Sequence, residues 1–377
     1  MPSGIESANT HYCTHWQLCR SSAGRLSSLQ FTTDGPLKIL AKTAATIESW
    51  HDQLSDIITS PDELLQLLRL EPEEVDLSEQ AGRDFSFKVP RAFAARMNVG
   101  DPNDPLLKQV LASAQELLEA PGFTTDPLEE TGAANPHPGI IHKYKGRALL
   151  LLTGVCAINC RYCFRRHFPY EDNRNSRDQW QQALTYIAED SSISEVILSG
   201  GDPLIPGDRY LQEIIDTIEA ISHVTTVRIH TRLPIVLPAR ITAGLGAVLT
   251  NTRLRIVIVN HCNHAQEIDA QVSAALSHLR SWDVTLLNQA VLLSGINDSA
   301  SIQIELSQAL HANGVLPYYL HLLDPIKGAH HFEVDEKSAV GIMREVIAAL
   351  PGYLVPRLVR EVAGETAKRI IPINPCP

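Results

Sequence analysis

The sequence has no long apolar run. Its apolar runs, such as Ala148 to Leu152 and Ile256 to Val259, fall far short of the roughly 20 residues that a membrane-crossing helix needs, so no membrane partner is expected. The first thirty residues also lack the apolar stretch of a secretory signal, which argues against export and disulfide formation and makes the cytoplasm the expected location. Positive charge is scarce as well: 32 Lys and Arg stand against 43 Asp and Glu, a formal charge of −11. That balance argues against holding nucleic acid over a broad surface, so DNA is not an expected partner. What is present is a globular composition of 377 residues, 44% hydrophobic and 20% charged, able to bury a sizeable core.

Seven cysteines, an odd number without an export signal, read as thiols rather than a disulfide framework. Cys156, Cys160 and Cys163 form CxxxCxxC, a cluster too tight for chance, whereas Cys13, Cys19 and Cys376 read as incidental. Three thiolates on one short loop suit a soft metal or an iron-sulfur cluster. Spacing alone leaves two readings open. A zinc site needs a fourth ligand, and His167 is close enough in sequence to complete a Cys3His knuckle. A 4Fe-4S cluster would instead leave one iron open for substrate chemistry.

Residues 1–37 show no periodicity and are expected to be a disordered tail. Residues 38–140 read as an N-terminal helical domain and connecting loop, with Ser60 and Glu63 spaced as a capping pair ahead of an apolar helix face. From 141 to 377 short apolar strands alternate with helical stretches, which predicts an α/β fold built as a partial or complete (β/α) TIM-like barrel. Strands are expected at 147–152, 195–198, 225–229, 254–259, 284–292, 315–322 and 354–359. Polar residues fall where the strands run out: the cysteine loop, then Gly200-Gly201-Asp202, His230-Thr231-Arg232, Asn260-His261, Asn288-Gln289 within the fifth strand, and Asp324. In βα barrels the strand carboxyl ends build the active site, so these residues are expected to converge on one mouth. A turn-forming role for Asn, Asp and Gly competes with that reading but does not account for Gln289 or His261.

CAINCRYCFRRHFPY (156–170) and LSGGDPL (198–204) resemble the radical S-adenosylmethionine (SAM) superfamily, and within it the lysine 2,3-aminomutase family. The similarity continues through RIHTRLPIVLPARIT (228–242), LLNQAVLLSGIND (286–298), PYYLHLLDPIKGAHHF (317–332) and GYLVPRLVREVAGETAK (352–368), and is greatest to the branch that β-lysylates elongation factor P, the EpmB proteins. The resemblance implies a radical SAM barrel with a pyridoxal 5'-phosphate (PLP) site. It implies a 4Fe-4S cluster on Cys156, Cys160 and Cys163, and SAM beside Gly200, Gly201, Asp202, His261 and Gln289. It also implies PLP tethered covalently by Lys368, with its phosphate held by Lys143 and Arg147. Lysine stands at Lys143 where the family has arginine, giving a point charge in place of a bidentate fork. The AGETAK run before Lys368 carries fewer glycines than the family's.

For the substrate, the resemblance implies that Arg165 grips the α-carboxylate of L-lysine while Asp324 and Glu361 hold its ε-ammonium, Glu361 being one methylene longer than the family's aspartate. The implied reaction turns L-α-lysine into (R)-β-lysine for modification of elongation factor P by its lysyl ligase, with an electron donor such as flavodoxin or ferredoxin. Only RIIPINPCP follows Lys368, too short for the zinc segment of longer family members, which favours the translation-factor branch. Arginine or another amino acid is the alternative substrate, although two carboxylates disfavour glutamate. A non-catalytic binding protein of the elongation factor P pathway and a zinc-knuckle nucleic-acid binder are the competing classes.

Overall fold

The computed structural model describes residues 49–173 and 177–373. The expected tail at 1–37, with Cys13 and Cys19, lies outside the described residues, as does Cys376. The first described part is a run of short helices: α1 (Trp50–Ser55), α2 (Pro61–Leu68), α3 (Glu79–Asp84), α4 (Arg91–Ala94) and α5 (Pro105–Lys108). Ser49 caps α1 in a reciprocal box with Asp52. The capping pair expected for α2 does not form. Ser60 makes no side-chain cap bond, and Glu63 is drawn instead to Arg91 NH2 at 2.6 Å.

The strand-rich part begins with a hairpin, β1 (Ile140–Tyr144) and β2 (Arg147–Thr153), followed by β3 (Glu195–Gly200), β4 (Thr226–Thr231), β5 (Arg255–His261), β6 (Thr285–Val291), β7 (Leu316–His321), β8 (Arg357–Arg360) and β9 (Arg369–Ile370). They form one sheet in chain order. The ladders from β2 to β8 are parallel, and β1 and β9 pair antiparallel at the two edges. All seven strands expected from periodicity are present, with ends shifted by a few residues. β1 and β9 were not expected. The expected barrel is therefore a partial one: among the described residues no ladder joins the two edges, and the sheet stays open.

Helices α6 (Arg177–Glu189), α7 (Asp208–Glu219), α8 (Leu233–Val236), α9 (Ala243–Thr250), α10 (Ala270–Ser281), α11 (Ala300–Ala312) and α12 (Glu336–Ala349) connect the strands. Side chains alternate along a strand, and one set, with Leu150, Val196, Ile258 and Leu320 at even positions and Val227 and Ile229 at odd positions of β4, is buried in one apolar core with Leu211 and Ile215 of α7 and Leu276 and Leu279 of α10. That core runs from Trp50 to Ile371, so the helical stretch shares an interior with the sheet.

Candidate active site

The other set, odd-numbered in β2, β3 and β5 to β7 and even-numbered in β4, faces the other way and walls a cavity of about 670 Å³. Arg147 contributes from β2, Glu195 from β3, His230 from β4, His261 from β5, Gln289 from β6 and His321 from β7. The cavity extends from the strand carboxyl ends, where Cys156, Cys160, Cys163, Gly200, Gly201 and Asp202 line it, to the amino ends of β2 to β4, reached by Lys143 and Arg147. Arg165, Asp324, Glu361 and Lys368 line the same space, so every residue to which the resemblance gave a cofactor or substrate lines one cavity, whereas Asn260 and Asn288 do not line it. His167 does not line it; its Nε2 lies 3.2 Å from the Lys327 carbonyl, and the Cys3His knuckle is not assembled. Among the described residues no group of three or more His, Cys, Asp or Glu is arranged to hold a metal ion.

The cysteine loop is pressed against the end of β3. Gly201 N–H donates to Thr153 O, at 2.6 Å, and Asp202 N–H to Val155 O, at 2.9 Å. Gly200 takes φ +111°, and a Cβ at Gly201 would stand 2.4 Å from the Val155 carbonyl, so only glycine admits this approach. From the other side the helical stretch holds the loop. Arg161 donates two bonds to Glu116, at 2.7 and 2.6 Å, and Arg166 adds a third at 2.7 Å. Burial, then the neighbouring Cys163, Asp202 and Cys160, pushes the Cys156 thiol well up. Burial and Cys160 push Cys163 up to about 11. Such thiols lose their protons to solvent most readily when a bound cation stabilises the thiolate.

A chain of alternating charges crosses the cavity. Glu130, 3% exposed, accepts Arg165 Nε at 2.8 Å and NH2 at 3.1 Å, and also Lys143 Nζ at 3.0 Å. Lys143 continues to Glu361, whose other oxygen accepts Lys368 Nζ. Burial alone would raise the Glu130 and Glu361 carboxyls; the facing cations outweigh it and hold both below the ordinary range. Asp324 stands outside this chain. Its Oδ1 is buried without a partner among the described residues, and burial, reinforced by Glu361, lifts its carboxyl to about 7. Arg147 stacks 4.7 Å over the Tyr144 ring and makes no ion pair among the described residues.

His261 and Gln289 are cross-strand partners in the β5–β6 ladder, with His261 Nε2 and Gln289 Nε2 2.6 Å apart. Burial, then Arg232 and Arg165, lowers His261 to about 3, so its ring is neutral at neutral pH. Asp202 is engaged by the chain: Oδ1 accepts from Thr231 Oγ1 and Leu204 N, and Oδ2 from Arg232 N and Leu233 N, at 2.7 to 3.1 Å. Asn288, on the opposite face of β6 from Gln289, bonds both backbone groups of Cys262, and its part is structural. Motif reading missed Glu130 and His321, and it placed His230 and Arg232 at the mouth without giving them a role. The inward period of two pointed to His230 and His321, but nothing local marks Glu130.

Residues 150–245 match the Radical SAM superfamily. The L-lysine 2,3-aminomutase of Escherichia coli (strain K12) is 51% identical over 85% of this chain and 94% of its own length. That of Haemophilus influenzae is 47% identical over 86% of this chain and 95% of its own, and that of Clostridium subterminale is 34% identical over 85% and 76%. With relatives this similar covered over most of their length, the chain belongs to the radical SAM lysine 2,3-aminomutase family of isomerases.

Proposed function

We propose that this protein converts L-α-lysine to (R)-β-lysine in the cytoplasm with a 4Fe-4S cluster, SAM and PLP, the cofactors of its family. The observation that carries the reading is the single cavity shared by the three cysteines, Lys368 and the carboxylates Asp324 and Glu361. When bound, the cluster and SAM supply a carbon radical, and PLP supplies a ring that delocalises the unpaired electron. The residues present fit these groups. The three thiols share one loop at the cavity's carboxyl end, and Arg147 has no counter-ion to displace among the described residues. Asp324 Oδ1 and the Nε2 atoms of His230 and His321 are buried polar atoms without partners among the described residues, as expected of a wall that meets a polar ligand.

In this reading Lys368 tethers PLP, and Arg147 with the remaining proton of Lys143 holds its phosphate. Arg165 presents the guanidinium edge not taken by Glu130 to the substrate carboxylate. Asp324 and Glu361 hold the ε-ammonium and exclude neutral side chains. Neutral His261, Gln289, Gly200 and Gly201 form the wall beside SAM, while Asp202 shapes that wall through the backbone because both its oxygens are already bonded. A flavodoxin or ferredoxin supplies the electron.

The anaerobically reconstituted protein, given SAM, PLP and a reductant, should form a β-amino acid from L-lysine and far less from L-arginine or L-glutamate. Cys160→Ala should abolish SAM cleavage and product together, whereas Lys368→Ala should lose product and retain some uncoupled cleavage. Full isomerase output from either variant overturns the role given to that side chain. The finer reading, that β-lysine passes to the lysyl ligase of elongation factor P, is supported by the motif resemblance. It is tested by the mass gain of elongation factor P when this protein and the ligase are supplied together.

A further inference from the structure

We propose that Arg232 is a positioning residue that sets the reduction potential of the cluster on the cysteine loop. The inference rests on the cluster reading above and deepens it. Arg232 follows β4, where Asp202 Oδ2 accepts its N–H at 2.7 Å. Its nearly buried guanidinium donates from NH1 to Cys160 Sγ at 2.7 Å, and from NH2 to Gln109 Oε1 at 2.6 Å and Glu267 Oε2 at 3.0 Å. The rings of Phe93 and Tyr162 lie 5.3 and 5.9 Å from its central carbon. Three positions far apart in sequence, 109, 160 and 267, thus meet on one cation. Its Nε is buried and has no partner among the described residues, so the group keeps donor capacity beside the sulfur.

A buried cation is costly to desolvate, and closing the loop does not demand one, since Arg161 and Arg166 already tie it to Glu116. What the charge does is electrostatic. A cluster that gains an electron becomes more negative, and an N–H donor with a fixed positive charge at a ligand sulfur favours that reduced form, raising the potential. Glu267 bonds the same guanidinium through NH2 rather than NH1, and so moderates the charge that Cys160 feels. The step concerned is a one-electron transfer: a low-potential flavoprotein or iron-sulfur donor is oxidised, the cluster is reduced, and no covalent bond changes.

The test is an EPR-monitored redox titration of the full-length, anaerobically reconstituted protein, after iron and sulfide analysis of the unsubstituted chain. Arg232→Gln should lower the ratio of reduced to oxidised cluster at a fixed potential about tenfold, a shift of about 59 mV downward for a one-electron couple. Glu267→Gln, which unshields the arginine, should move it upward, and Arg232→Lys should fall between Arg232→Gln and the unsubstituted chain. An unchanged potential in Arg232→Gln, or shifts of Arg232→Gln and Glu267→Gln in the same direction, overturns the proposal. Should Arg232→Gln fail to load, an unchanged potential in both Arg232→Lys and Glu267→Gln overturns it equally. Absence of iron from the unsubstituted chain is a different failure, that of the cluster reading itself, and the inference falls with it.

Discussion

Glu130 joins two cations that the proposed mechanism assigns to different ligands, Arg165 for the substrate carboxylate and Lys143 for the phosphate. Removing one member of a buried ion pair leaves its partner uncompensated, at a cost of about 3–5 kcal/mol. Glu130→Ala should lose stability of that order in chemical denaturation. Glu130→Gln, which keeps a hydrogen-bonding edge, should raise the KM for lysine more than it lowers kcat. Asp324 gives a pH prediction. A free aspartate titrates near 3.9, and here burial and then Glu361 lift it to about 7. The protonated folded form therefore contributes stability that is fully present below about pH 4 and is lost as pH rises through 7. Because only the ionised form attracts an ammonium, the KM for lysine should fall over that upper range. Asp324→Asn should flatten both profiles, read from melting curves and initial rates. Asp324 was legible because it follows an apolar strand within a family motif. Glu130 was not, since it sits beside Glu129 in an aperiodic loop and its importance arises only from residues 13 and 35 positions away.

The cysteine loop is an element held from two sides, and each side has its own test. Gly201→Ala would set a Cβ 2.4 Å from the Val155 carbonyl, pushing the loop off β3; iron content per chain should drop while far-UV circular dichroism stays unchanged. Glu116→Ala strips Arg161 and Arg166 of their shared carboxylate, so the denaturation free energy should fall by about 3–5 kcal/mol. At this scale the sequence was readable where hydrophobic period and turn residues agreed, as in β2 through β8. β9 is two residues long, too short to carry a period. β1 has only two isoleucines before His142, Lys143 and Tyr144, too short an apolar run to read as a strand, and the partners of Lys143, Glu130 and Glu361, are brought there by the fold. The failed cap at Ser60 has a similar cause, because Arg91, which captured Glu63, is 28 residues away.

Across the whole molecule, the helical stretch and the sheet share one core, although composition changes character near residue 140. Composition registers which elements a segment forms, whereas a shared interior depends on which faces meet, and no single segment states that. The division of labour between odd and even strand positions has a lasting effect on how the molecule can change. Deleting one residue inside a parallel strand would exchange lining for casing beyond that point, exposing leucines to cofactors and driving histidines under helices. Tolerated variation in substrate choice should therefore accumulate as like-for-like replacements at inward positions or as length changes past the strand ends, while the strands themselves keep a frozen parity.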